Sequence, residues 1–367
     1  MVLCLATNRF PTIHLTDEEQ RCYDQASNEL LKRTLHAYHE EQRPDLKKKQ
    51  WAHVRRRDKM DVYRNIEGSS NPRVTLYVGK GLMRGTVEDM MDGLYCDTTE
   101  DLRKVKTLLN YKFIDGAVFQ VSQRRSPDDP FRFAGIKWFA AKAPLGPLVA
   151  DRDMLNYEVM GQVMDEHSNE FAFHSYQSIE RSEWPADNMK NIKRAQTATC
   201  YLYRQHSPEY VECFFQGDFF ARGKVMQKVS DYAMAGKWLA VSNAIQCAHA
   251  KKFLRLMETA DVKRALPSEV CDVCHVRCKT RSGSMQCAGC MQNTCRNCSM
   301  EQKIYKTSAR TGKPLTEHFC IPCVKKVVGG LPPPRKLTSF SADGDRTRGG
   351  SSITDSGPDD RNGSFLV

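Results

Sequence analysis

The cysteines between Cys271 and Cys323 are the residues of this chain whose type and spacing best fit a chemical task. Residues 271 to 298 contain seven of the fifteen cysteines in the sequence. In this region four pairs share one form, with two residues between the thiols, so that both thiols of a pair can reach one ion from a tight turn. The pairs are Cys271 with Cys274, Cys287 with Cys290, Cys295 with Cys298, and Cys320 with Cys323. Two such pairs complete a tetrahedral zinc site, so the sequence predicts two zinc ions per chain.

The spacing between the pairs predicts how they combine. Four residues separate Cys290 from Cys295, which is too few for the second and third pairs to fold back onto one ion. We therefore expect a cross-brace of two sites, Cys271, Cys274, Cys295 and Cys298 in the first and Cys287, Cys290, Cys320 and Cys323 in the second. About 55 residues cannot build a sizeable core, so the metal would supply much of the folding free energy.

Three further potential ligands lie in this region. Cys278 fits a surface or packing thiol better than a ninth ligand, His275 lies directly after the first pair, and His318 is the only plausible substitute ligand.

This cysteine spacing resembles that of FYVE-type zinc fingers, a family that docks on phosphatidylinositol 3-phosphate at endosomal membranes. The family reads the lipid with a basic run, R-(R/K)-H-H-C-R-x-C-G, around the second pair. Here the run is "GSMQCAGCM", with Met285 and Gln286 in the histidine positions and Ala288 in place of the arginine. The W-x-x-D upstream is missing, and "HFC" replaces the Arg-Val-Cys of the fourth pair. The resemblance implies the zinc scaffold without the phosphoinositide reader.

Charge gives a second candidate contact surface. The chain has a formal net charge of +11, of which residues 271 to 330 hold +7, falling to +3 if each of two Zn(Cys)4 units is counted as 2−. The stretch between the third and fourth pairs predicts a hairpin that presents Lys303, Lys306, Arg310 and Lys313 to an anionic membrane or a protein partner. An ordinary solvated face is the alternative.

The rest of the chain has to position this module, and it carries no recognisable catalytic motif. It lacks G-x-x-x-x-G-K-[ST], G-x-S-x-G and H-E-x-x-H, so we expect no catalytic residues and no enzyme activity. No apolar run approaches the roughly 20 residues of a membrane span. No basic leader precedes the first apolar residues and Val2 excludes myristoylation, so we expect a cytoplasmic protein, peripheral on endosomal membranes, with nucleic acid not among its partners.

Periodicity predicts an α+β fold for residues 1 to 260. A helix is expected over 16 to 43, capped by Thr16 and Glu19, and two short helices over 84 to 109. Strands are expected at 50–56, 61–66 and 73–78 and then throughout 117–220, paired as antiparallel hairpins. One long helix is expected over 222 to 258. Its apolar stripe comprises Val225, Val229, Tyr232, Gly236, Leu239, Asn243, Cys247, Ala250, Leu254 and Met257.

This order of elements resembles the START-type helix-grip domain, in which a curved sheet wraps the last helix. The resemblance covers roughly residues 50 to 258 and rests on "QWAHVRRRDKMDVYRN", "DDPFRFAGIKWF" and "AHAKKFLRLM". With the finger behind it, the chain resembles the START-plus-FYVE proteins abundant in oomycetes. The resemblance implies a lipid or other apolar ligand in an interior cavity; a cavity filled by the protein's own side chains is the alternative.

The predicted organisation is an N-terminal helix (1–48), a START-like domain (49–260), a FYVE-like zinc finger (265–330) and a disordered tail (331–367). This organisation predicts a non-enzymatic, lipid-binding adaptor that associates peripherally with membranes. The alternative is a RING-like ubiquitin ligase or protein-interaction module with a START-like domain that recruits the substrate. A ligase would need an apolar groove, for which Ile304, Ile321, Pro322 and Val324 are available.

Overall fold

The computed structural model describes residues 10–39, 50–66, 74–109, 112–143, 149–186, 188–220, 226–261, 268–278 and 284–329. The chain divides into two units, Met1–Pro332 and Pro333–Val367, and every described residue belongs to the first. The predicted tail over 331–367 lies outside the described residues, as does the end of the predicted first helix, 40–43. Among the described residues, no helix has the length and apolar character needed to span a bilayer.

A ten-stranded sheet is the frame of the described chain. The strands are β1 (Trp51–Arg57), β2 (Lys59–Asn65), β3 (Thr75–Arg84), β4 (Phe113–Gln123), β5 (Phe133–Ala141), β6 (Asp151–Met164), β7 (Glu170–Ser178), β8 (Ile192–Arg194), β9 (Gln196–Ser207) and β10 (Tyr210–Phe220). Nine of them follow the antiparallel order β1-β2-β3-β10-β9-β7-β6-β5-β4, and β8 runs parallel to β6. The predicted strands and their hairpin pairing are confirmed.

Alternation of side chains along each strand gives the sheet two buried faces. Helix α1 (Asp17–His39) covers the outer face through Leu30, Leu31 and Tyr38. It begins with the predicted capping box, in which the Glu19 N–H donates to Thr16 Oγ1 at 3.2 Å and the Thr16 N–H donates to Glu19 Oε2 at 2.9 Å. The helix therefore starts where its orphan N–H groups have partners.

The inner face is covered by α2 (Val87–Leu94), α3 (Thr99–Leu108), α4 (Gln227–Leu239) and α5 (Ala244–Glu258). Thr86 and Thr98 cap α2 and α3 as predicted, accepting from the N–H groups of Asp89 and Asp101. Helix α2 approaches α5 closely at Gly93, where an added Cβ would lie 1.8 Å from the carbonyl oxygen of Ala244. A larger residue at position 93 would push the two helices apart. The sheet with α4 and α5 on its inner face confirms the α+β helix-grip class that the sequence predicts.

The single long helix predicted over 222 to 258 is wrong. The described chain from 226 forms α4 and α5, joined by a 3-10 turn at Ala240–Asn243. The Ser242 hydroxyl donates to the Leu239 carbonyl at 2.8 Å, and Asn243 donates from Nδ2 to the Leu109 carbonyl at 3.0 Å. The Ser242 bond is of the local kind that competes with a continuous helix, and the Asn243 bond ties the turn to the residue that follows α3.

The predicted apolar stripe changes accordingly. Tyr232 is 57% exposed, and Met234, Ala235 and Trp238 are buried from α4 instead. Val225, the first member of the predicted stripe, lies outside the described residues.

A small cysteine-rich module follows α5. It consists of the hairpins β11 (Ser284–Gln286) with β12 (Asn293–Cys295) and β13 (Ser299–Thr307) with β14 (Pro314–Cys320), and of helix α6 (Ile321–Val328). The ring of Phe319 packs on Phe253 of α5 with centroids 4.5 Å apart. The hydroxyl of Tyr305 donates to Asp101 of α3, at 3.2 Å from its carbonyl oxygen and 3.1 Å from Oδ1. The module therefore packs on the same helices that cover the sheet.

Candidate metal centres and the interior cavity

The structure brings eight cysteines together in two groups of four. Within each group the four sulfur atoms lie within 4.8 Å of one another. One group contains the first and third pairs, Cys271, Cys274, Cys295 and Cys298, and the other contains the second and fourth, Cys287, Cys290, Cys320 and Cys323.

The sulfur spacing fits tetrahedral zinc. A Zn–S bond of about 2.3 Å places the sulfurs of a tetrahedral site roughly 3.8 Å apart. Cys274 and Cys295 are 3.8 Å apart between sulfurs, and Cys290 and Cys320 are 3.7 Å apart. Four thiolates at this spacing suit a closed structural zinc site better than a catalytic one, because no ligand position is left for water.

The first two pairs are shaped by the same turn, which the sequence did not reveal. His275 and Met291, each directly after the second cysteine of a pair, have positive φ angles of 60° and 62°. Each of these residues donates its N–H to the carbonyl of the first cysteine of its pair, His275 to Cys271 at 2.8 Å and Met291 to Cys287 at 2.9 Å. Left-handed backbone is uncommon outside glycine, so sequence alone did not single out these positions.

Backbone N–H groups support the second group of sulfurs. The Cys320 N–H donates to Cys287 Sγ at 3.2 Å, and the Cys323 N–H donates to Cys320 Sγ at 3.4 Å. Cys320 is also the N-cap of α6. The partial positive charge at a helix N-terminus favours the thiolate form that a metal requires.

The other potential ligands lie outside both groups. Cys278 is half-buried and donates its N–H to the Glu269 carbonyl at 2.7 Å. His275 and His318 are exposed and belong to neither group of sulfurs.

The β13–β14 hairpin presents the predicted basic side chains. Lys303, Lys306, Arg310 and Lys313 are all exposed. The pairing of the two strands is irregular between Lys303 and Thr307, and both Ile304 and Tyr305 are buried. The interruption breaks simple alternation, so one side chain faces the core of the module and the next faces α3.

An interior cavity lies between the inner face of the sheet and helices α2, α3 and α4. Its volume is about 30 Å³, room for roughly two water molecules. Its lining is mixed: apolar side chains alternate with ionisable ones. The lining residues are Leu94, Lys106, Leu109, Phe139, Met154, Asn156, Glu158, His174, Tyr176, Thr197, Tyr201, Met234, Lys237, Trp238 and Val241.

A row of ionisable side chains crosses three neighbouring strands on this inner face. Glu158 Oε1 lies 2.9 Å from Lys137 Nζ and 2.8 Å from His174 Nε2. Lys137, Glu158 and His174 are only 1%, 7% and 6% exposed. Sequence reasoning missed this row, although Lys137 is the one charged residue in the otherwise apolar strand β5.

The environment lowers the pKa of both Glu158 and His174, for different reasons. Burial raises the pKa of Glu158, but the charge of Lys137 and the contact with His174 outweigh it and hold that pKa well below its usual range. Burial lowers the pKa of His174 more than Glu158 raises it, so the ring is neutral near pH 7. A neutral His174 donates from Nε2 to Glu158 and leaves Nδ1 as an acceptor.

Burial also affects two lysines on the cavity wall, Lys106 and Lys237. Burial is the main cause that lowers the pKa of Lys237, to about 8, and the charges of Arg152 and Lys106 add to it. Burial likewise lowers the pKa of Lys106, against the raising effect of Glu158.

Comparison with solved structures finds lipid-transfer domains. Human StAR-related lipid transfer protein 5 is 15% identical, covering 63% of this chain and 99% of its own, with a TM-score of 0.46. Human STARD10 is 12% identical, covering 65% and 82%, with a TM-score of 0.39. A fragment of the STAR-related lipid transfer protein from Xanthomonas axonopodis is 13% identical, covering 54% and 99%, with a TM-score of 0.37.

No protein-family profile and no curated protein matches the sequence. At these identities and TM-scores the solved structures assign no residue role to this chain.

Proposed function

We propose that this chain is a non-enzymatic lipid-binding adaptor. A START-type domain would enclose an apolar ligand between sheet and helices, and a FYVE-like module with two zinc ions would attach it to a membrane surface or a protein. The observation that carries the proposal is the interior cavity under α4, whose mixed lining of apolar and polar side chains comes from four strands and three helices. A cavity between a sheet and its covering helices is where a ligand can be shielded from water.

The size of the cavity sets a condition on binding. Drug-sized ligands occupy pockets of roughly 300 to 1,000 Å³, far more than the 30 Å³ described here. A lipid therefore requires α4 to move away from the sheet. Helix α4 is held at Asp231, which accepts from Tyr77 Oη at 2.6 Å and lies 3.1 Å from Arg64 Nε. Such a movement would break the contacts of Asp231 with Tyr77 and Arg64, or these two side chains would have to move with the helix.

The module supports an adaptor role by its charge rather than by a lipid-reading motif. The exposed side chains of Lys303, Lys306, Arg310 and Lys313 share one hairpin. Each basic residue near an anionic surface contributes about 1 kcal/mol, so several must act together. Met285, Gln286 and Ala288 replace the residues that read phosphatidylinositol 3-phosphate in FYVE fingers, so we expect no selectivity for that lipid.

The ligase alternative is weakened by burial. Ile304 and Val324, two of the four residues available for a conjugating enzyme, are only 2% and 1% exposed and belong to the core of the module. They cannot contribute to an accessible groove without disrupting that core.

Lipid capture from vesicles tests the first half of the proposal. The purified chain is incubated with vesicles of mixed cellular lipids, re-isolated, and its bound lipid is quantified by native mass spectrometry. We expect about one lipid per chain, and a large loss in Met154→Trp, which fills the cavity from β6. Met164→Trp is the matched control, because Met164 lies on the same strand and is 66% exposed.

The capture experiment has one result that contradicts the proposal: no lipid on the folded wild-type chain, as judged by circular dichroism. If Met154→Trp does not fold, Met154→Phe replaces it.

Sedimentation with anionic vesicles, with and without phosphatidylinositol 3-phosphate, tests the second half of the proposal, attachment to a membrane surface. We expect Lys303→Ala with Lys306→Ala to weaken sedimentation on both vesicles equally, and transfer of ubiquitin by the chain would favour the ligase instead.

A further inference from the structure

Lys237 of α4 lies on the wall of the interior cavity and is half-buried. It forms no hydrogen bond or ion pair with the residues that the structure describes. Other buried lysines are held by oxygen atoms: Lys137 Nζ lies 2.9 Å from Glu158 Oε1, and Lys251 Nζ donates to the Tyr95 carbonyl at 3.0 Å. The amine of Lys237 is therefore not fixed as an ammonium by a neighbouring acceptor.

The surroundings keep part of the Lys237 amine neutral. Burial is the main cause that lowers the pKa of Lys237, to about 8, and the charges of Arg152 and Lys106 add to it. At about pH 7.4, roughly one fifth of such an amine is neutral, against about one in a thousand for a lysine with the ordinary pKa near 10.4. Only the neutral form has the lone pair that attacks a carbonyl group, so this environment favours a nucleophilic lysine.

His174 adds a second group without a partner to the same cavity wall. It is 6% exposed, and its Nδ1 has no hydrogen-bond partner among the described residues. Its Nε2 is 2.8 Å from Glu158 Oε1, so Nδ1 is the free acceptor of a neutral ring. A buried acceptor costs stability until a donor reaches it, and an O–H group on a molecule in the cavity would be such a donor.

We propose that Lys237 forms an imine with a long-chain aliphatic aldehyde bound in the cavity. The neutral amine adds to the carbonyl carbon, and a C–N bond forms as the C=O π bond breaks, which gives a carbinolamine. His174 Nδ1 accepts from the hydroxyl of this carbinolamine. The oxygen then leaves as water with the two hydrogens that the amine supplied, so the reaction needs no oxidant or reductant.

The lining of the cavity favours the imine over its hydrolysis. Met154, Met234 and Trp238 line the cavity together with Lys237 and would contact the hydrocarbon chain of the aldehyde. A closed apolar site excludes water, the reactant that reverses imine formation. This inference rests on the proposed lipid-binding function, because the chain of the aldehyde would occupy the space under α4 that a lipid needs.

Trapping with cyanoborohydride tests the imine, because this reagent reduces an imine to a stable secondary amine. The full chain is incubated with hexadecanal in phosphatidylcholine vesicles and cyanoborohydride, and the modified lysines are quantified by peptide mass spectrometry. We expect Lys237 to be modified at least tenfold faster than Lys228, an exposed lysine of the same helix. Lys137, which is paired with Glu158, should remain unmodified.

Variants of β6 test whether the reaction takes place in the cavity. Met154→Trp, which fills the cavity, should reduce modification of Lys237 to the rate at Lys228. Met154→Phe replaces it if that variant does not fold. Met164→Trp is the matched control, because Met164 is exposed on the same strand, and it should change neither rate.

His174→Gln tests the acceptor. The glutamine amide keeps an N–H donor for Glu158 and lacks Nδ1, so we expect modification of Lys237 to slow about tenfold, the effect of one lost hydrogen bond. Circular dichroism shows whether the variant is folded, and the ratio of Lys237 to Lys228 in the wild type tests the imine without it.

The possible results separate the inference from the function on which it rests. Modification of Lys237 no faster than that of Lys228, on a chain that captures cellular lipid, overturns the inference and leaves lipid binding intact. Fast modification that Met154→Trp does not reduce shows reaction from the solvent side and also overturns it. An unchanged rate in His174→Gln overturns the role of Nδ1. If the chain neither captures lipid nor reacts preferentially at Lys237, the proposed function itself fails.

Discussion

Glu158 is the residue on which the charged interior of the sheet depends. It is the shared acceptor of Lys137 and His174. A buried ion pair adds little over apolar residues of the same shape, but removing one partner leaves the other charge in a medium that solvates it poorly. Lys137, 1% exposed, is thus the residue most affected by any change at Glu158.

Glu158→Gln is expected to lower the free energy of unfolding at pH 7 by about 3 kcal/mol, since it leaves the Lys137 charge buried without an anion. Urea denaturation measures this difference. Glu170→Gln is the matched control, because Glu170 is exposed at the start of β7, and such surface changes remain within about 0.5 kcal/mol.

The pH dependence of the stability difference between wild type and Glu158→Gln follows from the direction in which the pKa of Glu158 is shifted. The pKa of Glu158 is lower in the folded chain than its usual value, so the unfolded chain binds its proton first as pH falls. The contribution of Glu158 is fully present above roughly pH 5 and is lost progressively as pH falls from the unfolded pKa of about 4.3 toward the lower folded pKa. The stability gap between wild type and Glu158→Gln should narrow from pH 5 to pH 3, and a constant gap would contradict this assignment.

At the scale of elements, the sequence pattern predicted the features that depend only on residues close together in the chain. Alternation and turn residues predicted the strands, and Thr16, Thr86 and Thr98 marked helix starts. The break at Ala240–Asn243 was not predicted because Asn243 there donates to the Leu109 carbonyl and accepts from Arg57, and both residues are more than a hundred positions away.

The cysteine groups and the buried ionisable row also differ in whether their residues are close together in the sequence. The cysteine pairs are visible because only two residues separate the ligands of a pair, whereas Lys137, Glu158 and His174 meet only through the register of three strands. The left-handed turns at His275 and Met291 left no residue-type signal at all.

The contact between α5 and the cysteine-rich module gives a prediction for elements. Phe253→Ala should lower the free energy of unfolding by about 3 kcal/mol, because it removes a ring that is 1% exposed and packed on Phe319. Limited proteolysis should then cleave more readily between α5 and Cys271. Tyr232→Ala is the control: Tyr232 is exposed and contacts Arg55 through its ring face at 4.5 Å, a contact of about 1 kcal/mol. Equal losses in the two variants would argue against tight docking of the module.

At the scale of the whole molecule, the two candidate metal centres differ in access. Cys274 of the first group is exposed, whereas the most accessible cysteine of the second, Cys290, is half-buried and the other three are buried. Cys287, Cys320 and Cys323 also belong to the apolar core that includes Phe253. Removing metal from the second group would therefore disturb both the core of the module and its packing against α5.

We expect two zinc ions per chain by native mass spectrometry, released in two steps by a chromophoric chelator. The first group should lose its ion faster, because a chelator reaches exposed Cys274 before it reaches the buried sulfurs. Cys274→Ser should abolish the fast step alone, and Cys320→Ser should abolish the slow step and lower the melting temperature more. One ion per chain, or release in a single step, would contradict the two-site assignment.

Helix α5 has a further consequence through its angular phase. It begins at the turn where Asn243 binds Leu109 and reaches Phe253 under the cysteine-rich module. Successive residues of an α-helix are rotated by about 100°, so inserting one residue between these two points would turn the aromatic ring away from Phe319. The number of residues in α5 between Asn243 and Phe253 is therefore fixed by both contacts. Only insertions that add whole helical turns would keep them.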